Sequence, residues 1–140
     1  MSENKVVKDI MIDVFEYPHV PYWFTVKQAI MVIKKSVMGT EKCIHPMAIL
    51  VFDEKYNILG TLTLKDILKG LESKEKAETP VSEVMIPAKF FIEPDAPTTK
   101  AADLILGNDL ILLPVVENKT KFVGVVRMIE IFDELTSAIA

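Results

Sequence analysis

The feature that most constrains the fold of this chain is an internal repeat. Three blocks recur in the same order: VVKDIMI (6–12) as PVSEVMI (80–86), TVKQAIMVI (25–33) as TTKAADLIL (98–106), and ILVFDEKYNILGTLT (49–63) as LPVVENKTKFVGVVR (113–127). Ordered blocks of this kind indicate two copies of one supersecondary unit. We predict a first repeat over 1–71, a charged linker, ESKEKAETP, over 72–80, and a second repeat over 81–140.

Each repeat has the pattern of a helix, two strands and a second helix, preceded by a short leading segment. In the first repeat, one apolar stripe with helical spacing follows Thr25, which stands where an N-cap belongs. The stripe consists of Val26, Ala29, Ile30, Ile33 and Val37. MAILVF (47–52) and ILGTLT (58–63) are typical of strands. One repeat has too little sheet to cover itself, so we expect an α/β protein of two repeats packed with pseudo-two-fold symmetry.

Composition and charge exclude several classes of protein. Half of the 140 residues are apolar, so the chain can bury a sizeable core. A net charge of −4 gives no reason to expect a nucleic-acid partner or an anionic membrane surface. Cys43 is the only cysteine, and no apolar run approaches the roughly 18 residues of a membrane span. We therefore expect a soluble, cytoplasmic protein.

The clearest candidate site lies where a predicted strand meets a helix, at Thr63 and Asp66. Threonine followed three residues later by an acid is nearly a capping box, which satisfies free N–H groups at a helix start. The same place suits a ligand, because a helix start favours phosphate and a carboxylate can accept hydrogen bonds from a ribose diol. The residues alone leave both interpretations open.

The repeated pattern resembles the CBS (cystathionine β-synthase type) domain, and two in tandem resemble the free-standing pair called a Bateman module. The resemblance covers about Val6 to Leu135. It implies an adenosine-containing ligand, such as AMP, ADP or ATP, held at the motif Gly60–Asp66, in which Gly60, Thr63 and Asp66 match the family pattern. It further implies an adenine wall, although each of its members would also serve as a core or strand residue. The wall residues are Met11, Ile12, Met47, Ala48 and Ile49.

The second copy of the motif, Gly124–Glu130, departs from that pattern. Arg127 replaces the threonine, and Glu130 replaces the aspartate. Arg127 either bridges to Glu130 and fills the cleft or grips a polyphosphate through its planar fork of donors. We therefore expect one ligand cleft in the first repeat and a possible second site at Arg127 and Glu130.

No constellation in the sequence predicts catalysis or a metal site. Cys43 and His45 form a partial metal motif without a second pair of ligands. The aromatic stretch EYPHVPYWF (16–24) is typical of a stiff loop that seals a core, with Tyr22 or Trp23 able to stack on a base or a partner. The sequence contains neither a phosphate-binding glycine loop nor a nucleophile elbow.

These observations predict a regulatory module without enzymatic activity or a resident cofactor. The resemblance implies a homodimer and a regulated protein acting in trans. The alternative is a ligand-free structural module that oligomerises or docks on a partner protein.

Overall fold

The computed structural model describes residues 5–36, 47–71 and 77–139. Four α-helices and seven strands lie in these ranges. In chain order they are β1 (Ile12–Asp13), β2 (His19–Pro21), α1 (Val26–Lys35), β3 (Ala48–Phe52), β4 (Ile58–Thr63), α2 (Leu64–Gly70), β5 (Ile86–Pro87), α3 (Thr98–Gly107), β6 (Leu112–Glu117), β7 (Lys121–Arg127) and α4 (Met128–Thr136). The predicted α/β class and the order of helix, strand, strand and helix in each repeat are confirmed.

The chain divides into two compact units. Unit 1 takes in the chain up to Tyr17 and again from Phe90 onward, and unit 2 is Pro18–Lys89. Of the predicted helix stripe, Val37 lies outside the described residues, as do 72–76 of the predicted linker. No helix in the described ranges combines the length and the apolar character that crossing a membrane requires.

Unit 2 is a four-stranded sheet in the order β2-β3-β4-β5 with two helices on one face. β2 runs parallel to β3, and the other neighbours are antiparallel. Leu62 and its neighbour Ile49 point from the sheet into a core with α1 and α2. Thr25 caps α1 through a capping box with Gln28, as the sequence predicted for Thr25. The core, called core 2 here, contains Val20, Val26, Ala29, Ile33, Ile49, Val51, Leu62, Ile67 and Val81.

Unit 1 repeats this arrangement with a three-stranded sheet in the order β1-β7-β6. A parallel bridge from Ile92 to Val115 adds to the edge of β6. Asn118 and Lys119 adopt positive φ in the tight turn between β6 and β7, where short hairpin turns require it. The core of this unit, called core 1 here, contains Val7, Ile92, Ala96, Ala101, Ala102, Ile105, Leu113, Val115, Val126 and Ile131.

The compact units differ from the predicted repeat boundaries because the two leading segments are exchanged. Val7, from the start of the first repeat, is fully buried in core 1, and its N–H donates to the Ala96 carbonyl at 2.8 Å. Val81, from the start of the second repeat, is fully buried in core 2, and its N–H donates to the Phe24 carbonyl at 2.8 Å. The end of the predicted linker is likewise bound in unit 2, since Thr79 accepts from the Val26 N–H at 2.9 Å.

Candidate ligand-binding site

The first motif lies at the end of β4, where the chain turns directly into α2. Thr63 has an extended backbone, φ −87° and ψ 162°, and its hydroxyl accepts a hydrogen bond from the Asp66 N–H at 3.1 Å. The Asp66 Oδ2 accepts from the Thr63 N–H at 3.0 Å and from the Thr63 hydroxyl at 2.8 Å. Thr63 and Asp66 therefore form a complete capping box, and the capping interpretation is correct as a statement about structure.

Capping leaves part of the Asp66 carboxylate available. Both hydrogen bonds fall on Oδ2, and no described residue donates to the other oxygen, Oδ1. The side chains of Thr63 and Asp66 are half-buried, so water and small solutes reach them. A hydroxyl-bearing ligand could donate to Oδ1 without breaking the cap, and the two sequence interpretations are therefore compatible.

Gly60 has a packing role. A Cβ at this position would lie 2.5 Å from the Ile86 carbonyl oxygen and 2.8 Å from the Met85 Sδ. Only a residue without a side chain lets β5 lie this close to β4. The structure thus explains this glycine by the approach of β5, and a direct role in ligand binding stays a prediction.

The start of β3 borders the first motif. Ala48 pairs with Thr63, and the Met47 carbonyl accepts from the Leu64 N–H at 3.0 Å. Met47 has a 65% exposed side chain, whereas Ala48 and Ile49 are buried. The Ile49 side chain points into core 2, so this residue could contact a ligand only through its backbone.

Met11 and Ile12 belong to unit 1, whereas the first motif belongs to unit 2. Ile12 pairs with Val125 in unit 1, and a Cβ on Gly124 would lie 2.9 Å from the Met11 Sδ. These two residues therefore flank the second motif. Their grouping with Thr63 assumed that each leading segment stays with its own repeat, and the exchange of segments removes that assumption.

Met85 and Ile86 take the corresponding place in unit 2. Ile86 pairs with Thr61, so its side chain and that of Thr63 lie on the sheet face opposite Leu62. Ile86 is 50% exposed. Sequence reasoning missed both residues, although the repeat alignment had already placed Met85 opposite Met11.

At the second motif, Arg127 bridges to Glu130. The Arg127 Nε donates to Glu130 Oε1 at 3.1 Å and Oε2 at 3.0 Å, and Nη2 donates to Oε2 at 2.6 Å. The Arg127 backbone N–H also donates to Oε1, at 2.7 Å. Because the arginine side chain has no acceptor for the helix N–H groups, Arg127 and Glu130 form only half of a capping box. Both oxygens of the Glu130 carboxylate accept hydrogen bonds from Arg127.

The contacts of Arg127 with Glu130 favour the charged form of the guanidinium. Hydrogen bonding to Glu130 raises the pKa of Arg127 above its usual value. Tyr17, which is 3% exposed, belongs to the same unit, and its burial raises its pKa to about 12, with Arg127 lowering and Glu130 raising it by smaller amounts. Tyr17 is therefore a neutral phenol at physiological pH beside a closed ion pair.

Within unit 2, the aromatic residues Tyr22 and Trp23 lie away from the first motif. Tyr22 donates its N–H to the Phe52 carbonyl at 3.0 Å, at the end of β3 opposite Ala48. The Tyr22 and Trp23 rings meet edge to face at 5.2 Å and are partly exposed. The position of Tyr22 and Trp23 does not support stacking of either ring on a base at the first motif. Tyr17 is buried, in agreement with the prediction that part of this stretch seals a core.

The described residues contain no group of three or more His, Cys, Asp or Glu side chains that could hold a metal ion. Cys43 and His45, the partial metal motif, lie outside the described ranges.

Comparison with known proteins agrees with the resemblance seen in the sequence. Residues 81–137 match the family model of the CBS domain. The magnesium transporter MgtE of Thermus thermophilus is 28% identical over 120 residues, which are 86% of this chain and 25% of the transporter. The chain therefore spans about a quarter of the length of this curated relative.

Solved structures share the fold over nearly the whole chain. A CBS domain-containing protein of unknown function from Bacillus anthracis superposes with a TM-score of 0.82 at 22% identity, covering 98% of this chain and 96% of that one. The cytosolic domain of the Mg²⁺ channel MgtE, solved with ATP, gives 0.76 at 25% identity, covering 94% and 49%. CBSX2, solved with AMP, gives 0.76 at 20% identity, covering 96% and 98%. The resemblance is confirmed: residues 81–137 match the CBS domain model, and the chain has the fold of CBS domain proteins.

Proposed function

We propose that this chain is a regulatory module that binds an adenine nucleotide at the first motif, in unit 2. The observation that carries the proposal is the Asp66 carboxylate, which caps α2 with Oδ2 and keeps Oδ1 available to a ribose hydroxyl. MgtE with ATP and CBSX2 with AMP support an adenine nucleotide as the ligand class.

Apolar groups beside that carboxylate fit the adenine base. The exposed Met47 side chain precedes the strand that pairs with Thr63, and the half-exposed Ile86 lies on the same sheet face as Thr63. A binding site of this kind combines apolar walls with a few placed polar groups. We therefore assign the wall of the unit 2 site to Met47, Ile86 and the backbone of Ala48 and Ile49. The module does no chemistry, and its output is a shift between conformations of different ligand affinity.

A thermal-shift panel of AMP, ADP, ATP, NAD and S-adenosylmethionine tests this function. A nucleotide present at a hundred times its Kd adds about 2.7 kcal/mol of stability. At this size that raises Tm by roughly 6–10 °C. A panel without any shift at millimolar nucleotide would reject the proposal in favour of the structural alternative.

The structural alternative, an oligomerising module, is favoured by the outer face of α4. Met128, Ile129, Phe132 and Leu135 on this helix are each between 44% and 59% exposed. Apolar side chains grouped in this way mark protein interfaces. We propose that the chain forms a homodimer and that it acts on another protein in the cytoplasm.

Light scattering tests the homodimer. A monomer of 15.7 kDa at tens of micromolar would contradict it.

The two functions are not exclusive, and the Phe132→Asp variant separates them. A charge on this face should dissociate a dimer that uses α4 and leave nucleotide affinity at the first motif unchanged.

A further inference from the structure

Each unit places a methionine thioether directly against a glycine of its sheet. In unit 2, the Met85 Sδ and Cγ lie 2.8 and 3.2 Å from the position that a Cβ on Gly60 would take, and the Ile86 carbonyl oxygen lies 2.5 Å from it. In unit 1, the Met11 Sδ lies 2.9 Å from the corresponding position on Gly124. The Met85 thioether therefore fills the space beside Gly60, next to the backbone of β5.

This contact is part of the attachment of β5 to the sheet of unit 2. The Met85 N–H donates to the Val81 carbonyl at 2.9 Å, and the Met85 side chain packs against core 2. After β5, the Ala88 N–H donates to the Leu59 carbonyl at 3.0 Å. β5 itself pairs with β4 through only two residues, and one of them is a proline, which has no N–H. Because the pairing is so short, β5 depends on the packing of the Met85 side chain.

The Met85 thioether is open to oxidation by a small peroxide. Its side chain is half-buried, so the sulfur is reached from solvent. A lone pair of the sulfur attacks one peroxide oxygen, the S–O bond forms and the O–O bond breaks. The proton of the transferred oxygen passes to the other oxygen, which leaves as water or an alcohol. The sulfur is oxidised by two electrons, the peroxide is reduced by two, and the apolar thioether becomes a polar sulfoxide.

The sulfoxide does not suit the contact with Gly60. Its oxygen is a hydrogen-bond acceptor, and the Ile86 carbonyl oxygen beside it is also an acceptor, so neither satisfies the other. The oxidised side chain is therefore more stable in water, and turning it outward leaves the space beside Gly60 unfilled. Ile86 follows Met85 in β5 and belongs to the proposed nucleotide wall, so a loosened β5 displaces part of that wall.

We propose that Met85 is an oxidation site that regulates the unit 2 site: its conversion to the sulfoxide loosens β5 from the sheet and weakens nucleotide binding. The loosening of β5 stands without a ligand. The effect on nucleotide binding rests on the proposed function.

Hydrogen peroxide is the probe, and hydrogen exchange at the Ala88 amide is the readout. Peptide mass spectrometry follows the oxidation of each methionine, with the exposed Met31 and Met47 as standards for the dose. Once Met85 is oxidised, we expect the Ala88 amide to exchange about tenfold faster than in the untreated protein. The proposal is overturned if Met85 stays unoxidised when both standards are fully oxidised, or if its oxidation leaves exchange at Ala88 unchanged.

Met85→Leu removes the sulfur at nearly constant side-chain volume. In this variant, exchange at Ala88 should be the same before and after peroxide. Met11→Leu is the matched control, because it makes the same change at the equivalent position of unit 1. Peroxide should speed exchange at Ala88 in Met11→Leu as it does in the unmodified protein. A peroxide response that persists in Met85→Leu would assign the effect to other residues and contradict the proposal.

A polar substitution and a reductase separate oxidation of Met85 from general oxidative damage. Glutamine is polar and of similar length, so untreated Met85→Gln should exchange faster at Ala88 than untreated Met85→Leu. Methionine sulfoxide reductase restores the thioether, and slow exchange at Ala88 should return with it. Equal exchange in the two variants would count against the proposal, as would exchange that stays fast after Met85 is restored.

Calorimetry with AMP adds the ligand-dependent arm. Since Met47 of the proposed wall is oxidised in both proteins, the comparison is between the unmodified chain and Met85→Leu after the same peroxide treatment. The Kd of AMP should rise about tenfold more in the unmodified chain. An equal rise in both overturns regulation of the site by Met85. If the untreated protein does not bind AMP, the proposed function is rejected, and exchange at Ala88 still decides whether oxidation of Met85 loosens β5.

Discussion

Replacing Asp66 with alanine separates ligand binding from helix capping, because the structure gives this carboxylate a measurable part in both. Asp66 Oδ2 accepts two hydrogen bonds from Thr63, and no described residue donates to Oδ1. Losing the cap costs about 1 kcal/mol. For a chain of this size, that lowers Tm by roughly 4 °C. Losing charge-assisted hydrogen bonds to a ligand costs about 1.5–3 kcal/mol, or roughly a ten- to hundredfold rise in the Kd of AMP.

The chain supplies its own control for the capping effect. Thr25 and Gln28 form the same box at the start of α1, with the Thr25 N–H donating to Gln28 Oε1 at 2.9 Å and the Gln28 N–H donating to the Thr25 hydroxyl at 3.1 Å. Gln28→Ala should therefore lower Tm by a similar amount and leave AMP affinity unchanged. Calorimetry and thermal melts of the two variants, side by side, give the comparison. If Asp66→Ala loses the same Tm as Gln28→Ala and binds AMP with unaltered affinity, the carboxylate is a cap only and the proposed site is wrong.

Three further predictions follow from the same structure. Burial raises the pKa of Tyr17 from 10.0 to about 12. The stability that the neutral Tyr17 phenol contributes is therefore complete below pH 10 and is lost as the pH rises from 10 to 12, by about 2–3 kcal/mol in all. Urea titrations of Tyr17→Phe should not show this pH-dependent loss of the free energy of unfolding. Gly60→Ala should lower the free energy of unfolding by about 1–3 kcal/mol, whereas Gly107→Ala should raise it by about 0.4–1 kcal/mol, and a destabilised Gly107→Ala would contradict this. Arg127→Thr combined with Glu130→Asp should add a second AMP site in calorimetry, and two equal AMP sites in the unmodified chain would refute the difference between the motifs.

Local signals in the sequence were sufficient for the elements and their caps. The apolar stripe after Thr25 predicted a helix, and the short apolar run at 47–52 predicted a strand. The structure has a helix and a strand in these places, because these conformations depend mainly on residues close in sequence. The same holds for the turn from β4 into α2, because Thr63 and Asp66 lie within one helical turn of each other. Interactions between residues this close in sequence are readable from the sequence alone.

The exchange of the two leading segments could not be predicted from local sequence patterns. Val7 and Val81 occupy equivalent positions of similar segments, and each would fit the apolar core of either repeat. Which core each valine enters depends on contacts between residues far apart in sequence. Because the two repeats are similar, the sequence does not distinguish a leading segment that packs in its own repeat from one that packs in the other. The grouping of Met11 and Ile12 with Thr63 in the sequence analysis followed from this ambiguity. The burial of the Ile49 side chain also depends on the sheet face, which a run of apolar residues does not specify.

The difference between the two motifs comes from the extra methylene group of Glu130 and from the guanidinium group of Arg127. Asp66 has a short stem, so it reaches the Thr63 N–H and hydroxyl with one oxygen, and no described residue donates to the other oxygen. The longer stem of Glu130 allows both of its oxygens to meet Arg127, which supplies three donors from its backbone and side chain. A ligand at the second motif would first have to break this half-buried pair, whereas a ligand at the first motif meets an acceptor that is already positioned by its cap. The same helix start thus supports an open carboxylate in unit 2 and an internally satisfied one in unit 1, and this is why we place the nucleotide at Asp66.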